Sequence, residues 1–284
     1  MVVLGTAQDG GYPQAACKKI CCAPLWEDPS RRRHVSCIAI IDPGTSQRWI
    51  IDATPDFKEQ LNALDQVFPV PDSPGIAGIF LTHAHAGHYT GLMHLGREVM
   101  GTKGIPVYVL PRMFEFLNRN GPWDQLVRLG NISLRRIQDG IPVRLTDRLT
   151  ITALLVPHRD EYTETACYRI DGPDKSALFL PDIDDWEKWQ LSITHMISQV
   201  SVAYLDGTFY DYREIPDRNM TDIPHPFITE SIKRFETLPE SERAKVRFIH
   251  MNHTNPVLVP GSGARTRLEE AGLNIAKELE MFGL

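Results

Sequence analysis

Three histidines fall within six residues in the run Leu81-Thr-His83-Ala-His85-Ala-Gly87-His88-Tyr-Thr-Gly91, directly after the apolar stretch Ile76-Ala-Gly-Ile-Phe80. Imidazole nitrogen suits zinc, iron and related divalent ions, and a strand that ends in clustered histidines brings several such donors to one point at a sheet rim. A metal held there can acidify water and polarise a substrate oxygen. The competing reading is a polar loop rich in histidine for no chemical reason. The spacing alone does not choose the metal.

Other chemistry-bearing groups follow apolar runs in the same way. Asp52 ends Trp49-Ile-Ile-Asp, His158 follows Leu154-Leu-Val-Pro, Asp182 follows Leu178-Phe-Leu-Pro, and His250 follows Val246-Arg-Phe-Ile. A charged or imidazole group just past a buried strand stands at a sheet edge, where loops converge into a cleft. If these ends meet, they make a dinuclear site.

The five cysteines divide into two kinds. Cys37 and Cys167 sit in apolar, strand-like runs and read as small core residues. Cys17, Cys21 and Cys22 crowd a loop punctuated by Gly and Pro. They are surface thiols, one disulfide plus a spare, or three of the four donors of a tetrahedral structural zinc site.

The elements that position these groups are short strands alternating with helical patterns. Strands are expected near Val2–Thr6, Cys37–Ile41, Trp49–Ala53, Ile76–Thr82, Pro106–Leu110, Leu149–Val156, Cys167–Ile170, Ala177–Leu180, Val200–Leu205 and Val246–His250. Helical patterns cover Asp56–Leu64, Thr90–Met100, Arg112–Asn118, Asp185–Ile197, Phe227–Thr237 and Arg265–Phe282. Together they predict an α/β architecture with four αββα layers, two packed mixed sheets between outer helices. With 284 residues, 42% of them hydrophobic, and no repeat or linker, one domain over 1–284 is expected.

A formal net charge of -6 argues against a broad grip on nucleic acid, and the compact cluster Arg31-Arg32-Arg33 reads as a solvated loop. No apolar stretch approaches the roughly 18 residues of a membrane span. The substrate is therefore expected to be a small molecule. The start Met1-Val2-Val3-Leu4-Gly5 runs straight into strand-like sequence, which predicts a cytoplasmic protein, or a periplasmic or secreted one if a leader has been removed.

Taken in order, the His-x-His-x-x-His loop, His158, Asp182 and His250 resemble the metallo-β-lactamase superfamily over nearly the whole chain. Further segments resemble its branch of pyrroloquinoline quinone biosynthesis protein B, PqqB. They are Val3-Leu-Gly-Thr-Ala-Gln-Asp-Gly-Gly-Tyr-Pro-Gln14, Asp52-Ala-Thr-Pro-Asp-Phe57, Ser176-Ala-Leu-Phe-Leu-Pro-Asp-Ile183, Leu205-Asp-Gly-Thr-Phe209 and Phe248-Ile-His-Met-Asn-His-Thr-Asn-Pro256.

The resemblance implies that His83, His85 and His158 hold one metal, that His88 and His250 hold a second, and that Asp182 bridges. It places Asp52 behind the ligands as an orienting hydrogen-bond acceptor, against a plain reading as a strand-ending turn residue. Similar phosphodiesterases carry a histidine before the last ligand that protonates the leaving group. His225 is the counterpart here, against a reading as helix-start packing. The same resemblance makes His253 the fourth donor of a structural zinc with Cys17, Cys21 and Cys22. His34, His94 and His195 read as ordinary surface or core residues.

One departure stands out. The superfamily loop is usually His-x-His-x-Asp-His, and this chain has Gly87 where that aspartate would stand. The loss of that carboxylate predicts firm metal binding at the first site and weak or absent occupancy at the second. Zinc is the expected metal, one or two ions catalytic and one structural, with iron or manganese as alternatives at the catalytic site.

Three functions follow from these expectations. The first is a metallo-hydrolase, with Asp182 holding the water and His225 as the acid. The second, implied by the PqqB resemblance, is an iron-dependent hydroxylase or other enzyme of pyrroloquinoline quinone biosynthesis. The third is a carrier that kept the fold without the chemistry. Segments 112–145 and 207–226, with Trp123, Arg128, Phe209, Tyr210, Tyr212 and Arg213, are expected to shape the pocket.

Overall fold

The computed structural model describes residues 1–71, 74–216 and 218–284. Position 217, inside the pocket-shaping segment 207–226, lies outside the described residues. Thirteen strands among the described residues form two mixed sheets.

The first sheet runs in chain order: β1 (Val2–Gly5), β2 (Cys37–Asp42), β3 (Gln47–Ile51), β4 (Gly78–Phe80), β5 (Ile105–Val109) and β6 (Ile132–Arg136). The second is β7 (Pro142–Arg144), β8 (Thr150–Val156), β9 (Thr165–Asp171), β10 (Ser176–Leu180), β11 (Val202–Asp206), β12 (Val246–Ile249) and β13 (Asn274–Ile275).

Strand direction explains where the site lies. β1, β2 and β3 are antiparallel in succession, and β3 to β6 are parallel, so β1, β3 and β4 all point the same way. In the second sheet β8, β9 and β10 alternate while β10 to β13 are parallel, so β8, β10, β11 and β12 also share a direction. Each sheet therefore gathers the C-terminal ends of its site-bearing strands along one edge.

The period-2 geometry of strands sorts their side chains into two cores. Val3, Ile38, Ile40, Trp49, Ile51 and Phe80 face Ala166, Tyr168, Phe179, Val202 and Tyr204 between the sheets. Their neighbours Val2, Leu4, Cys37, Ala39 and Ile50 pack under the helices of the first sheet. Cys167, Leu178, Leu180, Ala203 and Leu205 do so for the second. Burial on both faces is why these strands read as continuous apolar runs rather than alternating ones. The predicted core role of Cys37 and Cys167 matches their places here.

Several elements differ from the sequence expectation. The pattern at Arg265–Phe282 is a helix only over Gly263–Glu270. Gly272, at φ +77, lets the chain turn, and β13 follows instead of more helix. The Asp185–Ile197 pattern breaks into a 3-10 turn at Trp186–Lys188 and a helix at Ile193–Ser198, whose start is capped by Ser192. Thr90–Leu95 is 3-10 rather than α. The strands β6, β7 and β13 were not expected, being short and partly polar. Among the described residues no helix is long and apolar enough to cross a membrane.

Candidate metal centre

The strand ends deliver two adjoining groups of donors. Ligand atoms of His83, His85 and His158 lie within 4.8 Å of one another, and so do those of His88, His250 and Asp9. Asp182 stands between them. Its Oδ2 is 3.0 Å from His88 Nε2 and 3.3 Å from His250 Nε2, while Oδ1 is 3.7 Å from His158 Nε2. Each of the two groups draws donors from both sheets, and Asp182 follows β10.

Each ring is held by its outer nitrogen, which leaves the other facing inward. His88 Nδ1 donates to Asp52 Oδ2 at 2.7 Å, and Asp52 also accepts from the Thr82 amide and hydroxyl. Thr82 Oγ1 lies 3.0 Å from His83 Nδ1. His158 Nδ1 pairs with Asp184 at 3.1 Å, His85 Nε2 with Glu161 at 3.0 Å, and His250 Nδ1 with Thr208 Oγ1 at 2.9 Å. Such partners fix tautomer and ring orientation around a metal. Asp52 thus contacts His88, one of the histidines that the resemblance names as ligands.

Two of these residues adopt left-handed backbone. Asp52 at φ +70 and His250 at φ +63 are non-glycine residues directly after β3 and β12. That conformation costs of order 1–3 kcal/mol and persists where surrounding structure enforces it. Here it turns each side chain off its strand toward the shared rim.

The electrostatics fit a cation. Burial, more than any neighbouring charge, holds His83 well below its usual pKa and lowers His85 too, so both present neutral, ligating nitrogens. Burial also opposes charge on Asp9 and Asp182. The imidazoles outweigh it, His250 and His88 holding both carboxyls well below their usual range. Burial works against a charged His88 as well, yet Asp52, Asp182 and Asp9 together raise it well above an ordinary histidine. His83 Nε2 and Asp182 Oδ2 are buried with no hydrogen-bond partner in suitable geometry. An orphaned buried polar atom calls for a water or an ion beside it, and nitrogen with carboxylate oxygen is a donor set for zinc, iron or manganese.

A second candidate site lies behind the first. Cys17, Cys21, Cys22 and His253 bring their ligand atoms within 4.8 Å of one another, and all five cysteines are free thiols. The Cys17–Cys21 and Cys21–Cys22 sulfurs are each 3.9 Å apart, and Cys22 Sγ is 3.3 Å from His253 Nδ1. A zinc–sulfur bond of about 2.3 Å implies a tetrahedral edge of about 3.8 Å. Adjacent Cys21 and Cys22 reach one point because the backbone turns there, Cys22 preceding the helix Ala23–Glu27.

His225 belongs to neither of these two donor groups, although its ligand atom lies within 4.8 Å of those of Asp182 and Asp206. Its Nδ1 donates to Asp206 Oδ2 at 2.7 Å and is 3.8 Å from Asp182 Oδ1. Burial disfavours its charge, but Asp206 and then Asp182 raise its pKa above the ordinary value. It lines a cavity of about 510 Å³ together with Arg159, Lys18, Lys19, Phe209 and Glu214.

The pocket expectation holds only in part. Among the described residues, segment 112–145 does not line this cavity. Trp123 packs on Tyr89 and Phe116, and Arg128 pairs with Asp124 on its own helix. Tyr210 is buried in the outer core, Tyr212 is exposed, and Arg213 pairs with Asp211. Phe209 alone of those six residues lines the cavity. His94 stacks on Phe57, and His34 meets Glu278.

Sequence reasoning passed over Asp9, Thr82, Glu161, Asp184, Asp206 and Thr208. Asp9 matters most, because Gly87 does not leave the second group without a carboxylate: Asp9 Oδ1 stands 3.1 Å from His88 Nε2 and 3.2 Å from His250 Nε2. Its signal was present, a carboxylate in a Gly-rich turn just past β1.

Comparison with known proteins agrees with this architecture. Residues 47–251 match the Beta-lactamase superfamily domain. Coenzyme PQQ synthesis protein B of Methylorubrum extorquens is 24% identical over 309 residues, covering 98% of this chain and 97% of that protein. The crystal structure of zinc-bound PqqB from Methylobacterium extorquens has a TM-score of 0.83 at 23% identity, covering 100% of this chain and 99% of that one. A diphosphatase of the PhnP family has a TM-score of 0.67 at 22% identity, covering 100% and 97%. With strands, rim and donor groups arranged as described and most of its length matched, the chain belongs to the β-lactamase superfamily domain family.

Proposed function

We propose that this chain is a metal-dependent hydrolase that cleaves a phosphodiester or ester-type bond in an anionic small molecule. The observation that carries the reading is two donor groups sharing Asp182 beside a histidine, His225, that stands outside both. A divalent metal, when bound by His83, His85 and His158 and by His88, His250 and Asp182, supplies Lewis acidity and a water acidified toward neutral pH.

The chain's own residues do the rest. Asp182 accepts the hydrogen bond of the attacking water and takes its proton. His225, whose protonated form Asp206 favours, gives a proton to the departing oxygen. Arg159, Lys18 and Lys19 put positive charge on the adjoining cavity wall, which suits an anionic substrate. Cys17, Cys21, Cys22 and His253 hold a structural zinc.

A second reading is favoured by one observation, the likeness to Coenzyme PQQ synthesis protein B across 98% of the chain. It is a step in making that cofactor, an iron-dependent hydroxylation in which the same histidines would hold iron, dioxygen would supply the inserted oxygen atom, and a two-electron external reductant would take the other oxygen atom to water.

One experiment separates the two. The protein is stripped with chelator, reloaded with zinc, manganese or anaerobic ferrous iron, and assayed for hydrolysis of bis(p-nitrophenyl) phosphate and for oxygen uptake. The hydrolase reading expects hydrolysis lost on stripping and restored by metal. Oxygen uptake with iron and no hydrolysis with any metal supports the second reading. Full metal content with neither activity overturns the hydrolase reading in favour of a carrier.

A further inference from the structure

We infer that Asp9 is the carboxylate ligand of the second metal position, and that Gly87 is glycine because Asp9 fills the space a side chain there would need. This inference rests on the metal-centre reading above.

Steric exclusion is the first support. A Cβ built on Gly87 would lie 2.4 Å from Asp9 Oδ1, 2.6 Å from its Cγ and 2.7 Å from its Cα. Real Cβ atoms do not approach heavy atoms that closely, and one of the clashing atoms is backbone. While the N-terminal turn stays where it is, residue 9 therefore excludes a side chain at 87, by its backbone as well as its carboxylate.

Donor geometry is the second. Asp9 Oδ1 is nearly equidistant from His88 Nε2, at 3.1 Å, and His250 Nε2, at 3.2 Å. Metal–nitrogen and metal–oxygen bonds of about 2.1 Å predict a tetrahedral edge of about 3.4 Å. Both Asp9 distances stand close to that spacing, and the ligand atoms of the three residues lie within 4.8 Å of one another. Asp182 Oδ2 adds a fourth donor facing the same two imidazoles and lacks a hydrogen-bond partner in suitable geometry.

Placement is the third. Asp9 lies in a turn closed by the Gly11 amide donating to Gln8 O at 2.7 Å, and Gly11 takes φ +69, a conformation that glycine adopts freely. The flanking backbone is clamped to the strand end that bears His250: the Gln8 amide donates to Met251 O at 2.9 Å and the Met251 amide to Thr6 O at 3.0 Å. The carboxylate and His250 are thus fixed to one another through two backbone bonds. A surface aspartate that merely drifted toward the imidazoles would need no such anchoring.

With Asp9 in place, the expectation of weak second-site occupancy drawn from Gly87 gives way to that of a complete second site.

The test counts metals in full-length protein, independently of turnover. Wild type, Asp9→Asn and Asp9→Gly are equilibrated with buffered zinc and their metal content is measured. Matched samples loaded with manganese(II), which disfavours the thiolate site, are examined by electron paramagnetic resonance for a coupled ion pair.

We expect Asp9→Asn to lose one zinc per chain, or to bind it at least tenfold more weakly, and to lose the coupled manganese signal. Asp9→Asn with unchanged stoichiometry, affinity and coupling overturns the inference. A wild type that binds no metal outside the cysteine site instead overturns the underlying metal-centre reading.

Discussion

The carboxylate of Asp206, at the end of β11, accepts from Nδ1 of His225 at 2.7 Å. Its other oxygen accepts from the Thr208 hydroxyl at 2.8 Å, and that hydroxyl lies 2.9 Å from His250 Nδ1. One buried carboxylate thus orients both the proposed acid and, through Thr208, a proposed metal ligand.

Asp206→Asn should therefore lower kcat about 10- to 100-fold, the usual cost of losing an orienting partner. The pH profile gives a sharper readout. Burial pulls the pKa of His225 down and Asp206 pushes it up, with a net rise. Loss of the Asp206 charge lets burial win, so the alkaline limb of kcat should move to lower pH. A variant with lower kcat but an unmoved alkaline limb would assign the proton to another group.

His225→Asn removes the proposed acid itself. We expect kcat to fall about 10²- to 10⁴-fold for a substrate with a poor leaving group. A nitrophenolate leaving group needs little protonation, so the loss should be much smaller there. Equal losses on both substrates would contradict the role, and a leaving-group series checks it.

Glu214 supplies a pH dependence of stability. Burial raises its pKa from near 4.5 to about 7, against hydrogen bonds from Thr254, the Tyr210 amide and Asn252. A carboxyl with a raised folded-state pKa favours its neutral form in the fold. Its contribution to stability is complete below about pH 4.5 and is lost as pH rises through about 7. The amount is on the order of 3 kcal/mol. Urea melts at pH 5 and pH 8 should show the wild type losing that much relative to Glu214→Gln, whereas parallel curves would contradict it.

The cysteine cluster makes a structural prediction. Cys22→Ser should release one zinc per chain and lower the thermal midpoint by more than about 5 °C, since structural zinc contributes directly to folding. Metal in the histidine groups should stay. Retention of all zinc would show that Cys22 is a core thiol, its burial already accounting for a pKa near 12.

The sequence made the site legible where an apolar strand runs straight into a donor. His83, His85, His88, His158, Asp182 and His250 all stand at such ends, and the common direction of β8, β10 and β12, with β4 facing them from the other sheet, brings them together. Asp9 was not legible in this way. Its partner His88 is 79 positions away, and only the packed turn reveals that it fills the space beside Gly87.

Asp184, Asp206, Glu161 and Thr208 were hidden for another reason. They touch the outer nitrogens of the rings, and a contact made through the back of another residue leaves no spacing pattern. The helix expected over Arg265–Phe282 failed at Gly272, where a left-handed residue ends an otherwise helical run.

The central claim is that histidines from both sheets, with Asp182, surround bound metal. Anomalous diffraction from zinc-loaded crystals, recorded on both sides of the zinc edge, tests it most directly. The account predicts zinc peaks in contact with His83, His85 and His158, with His88, His250, Asp182 and Asp9, and with the three loop cysteines and His253. Zinc found at the cysteines alone, with the histidine groups empty at saturating metal, would contradict it.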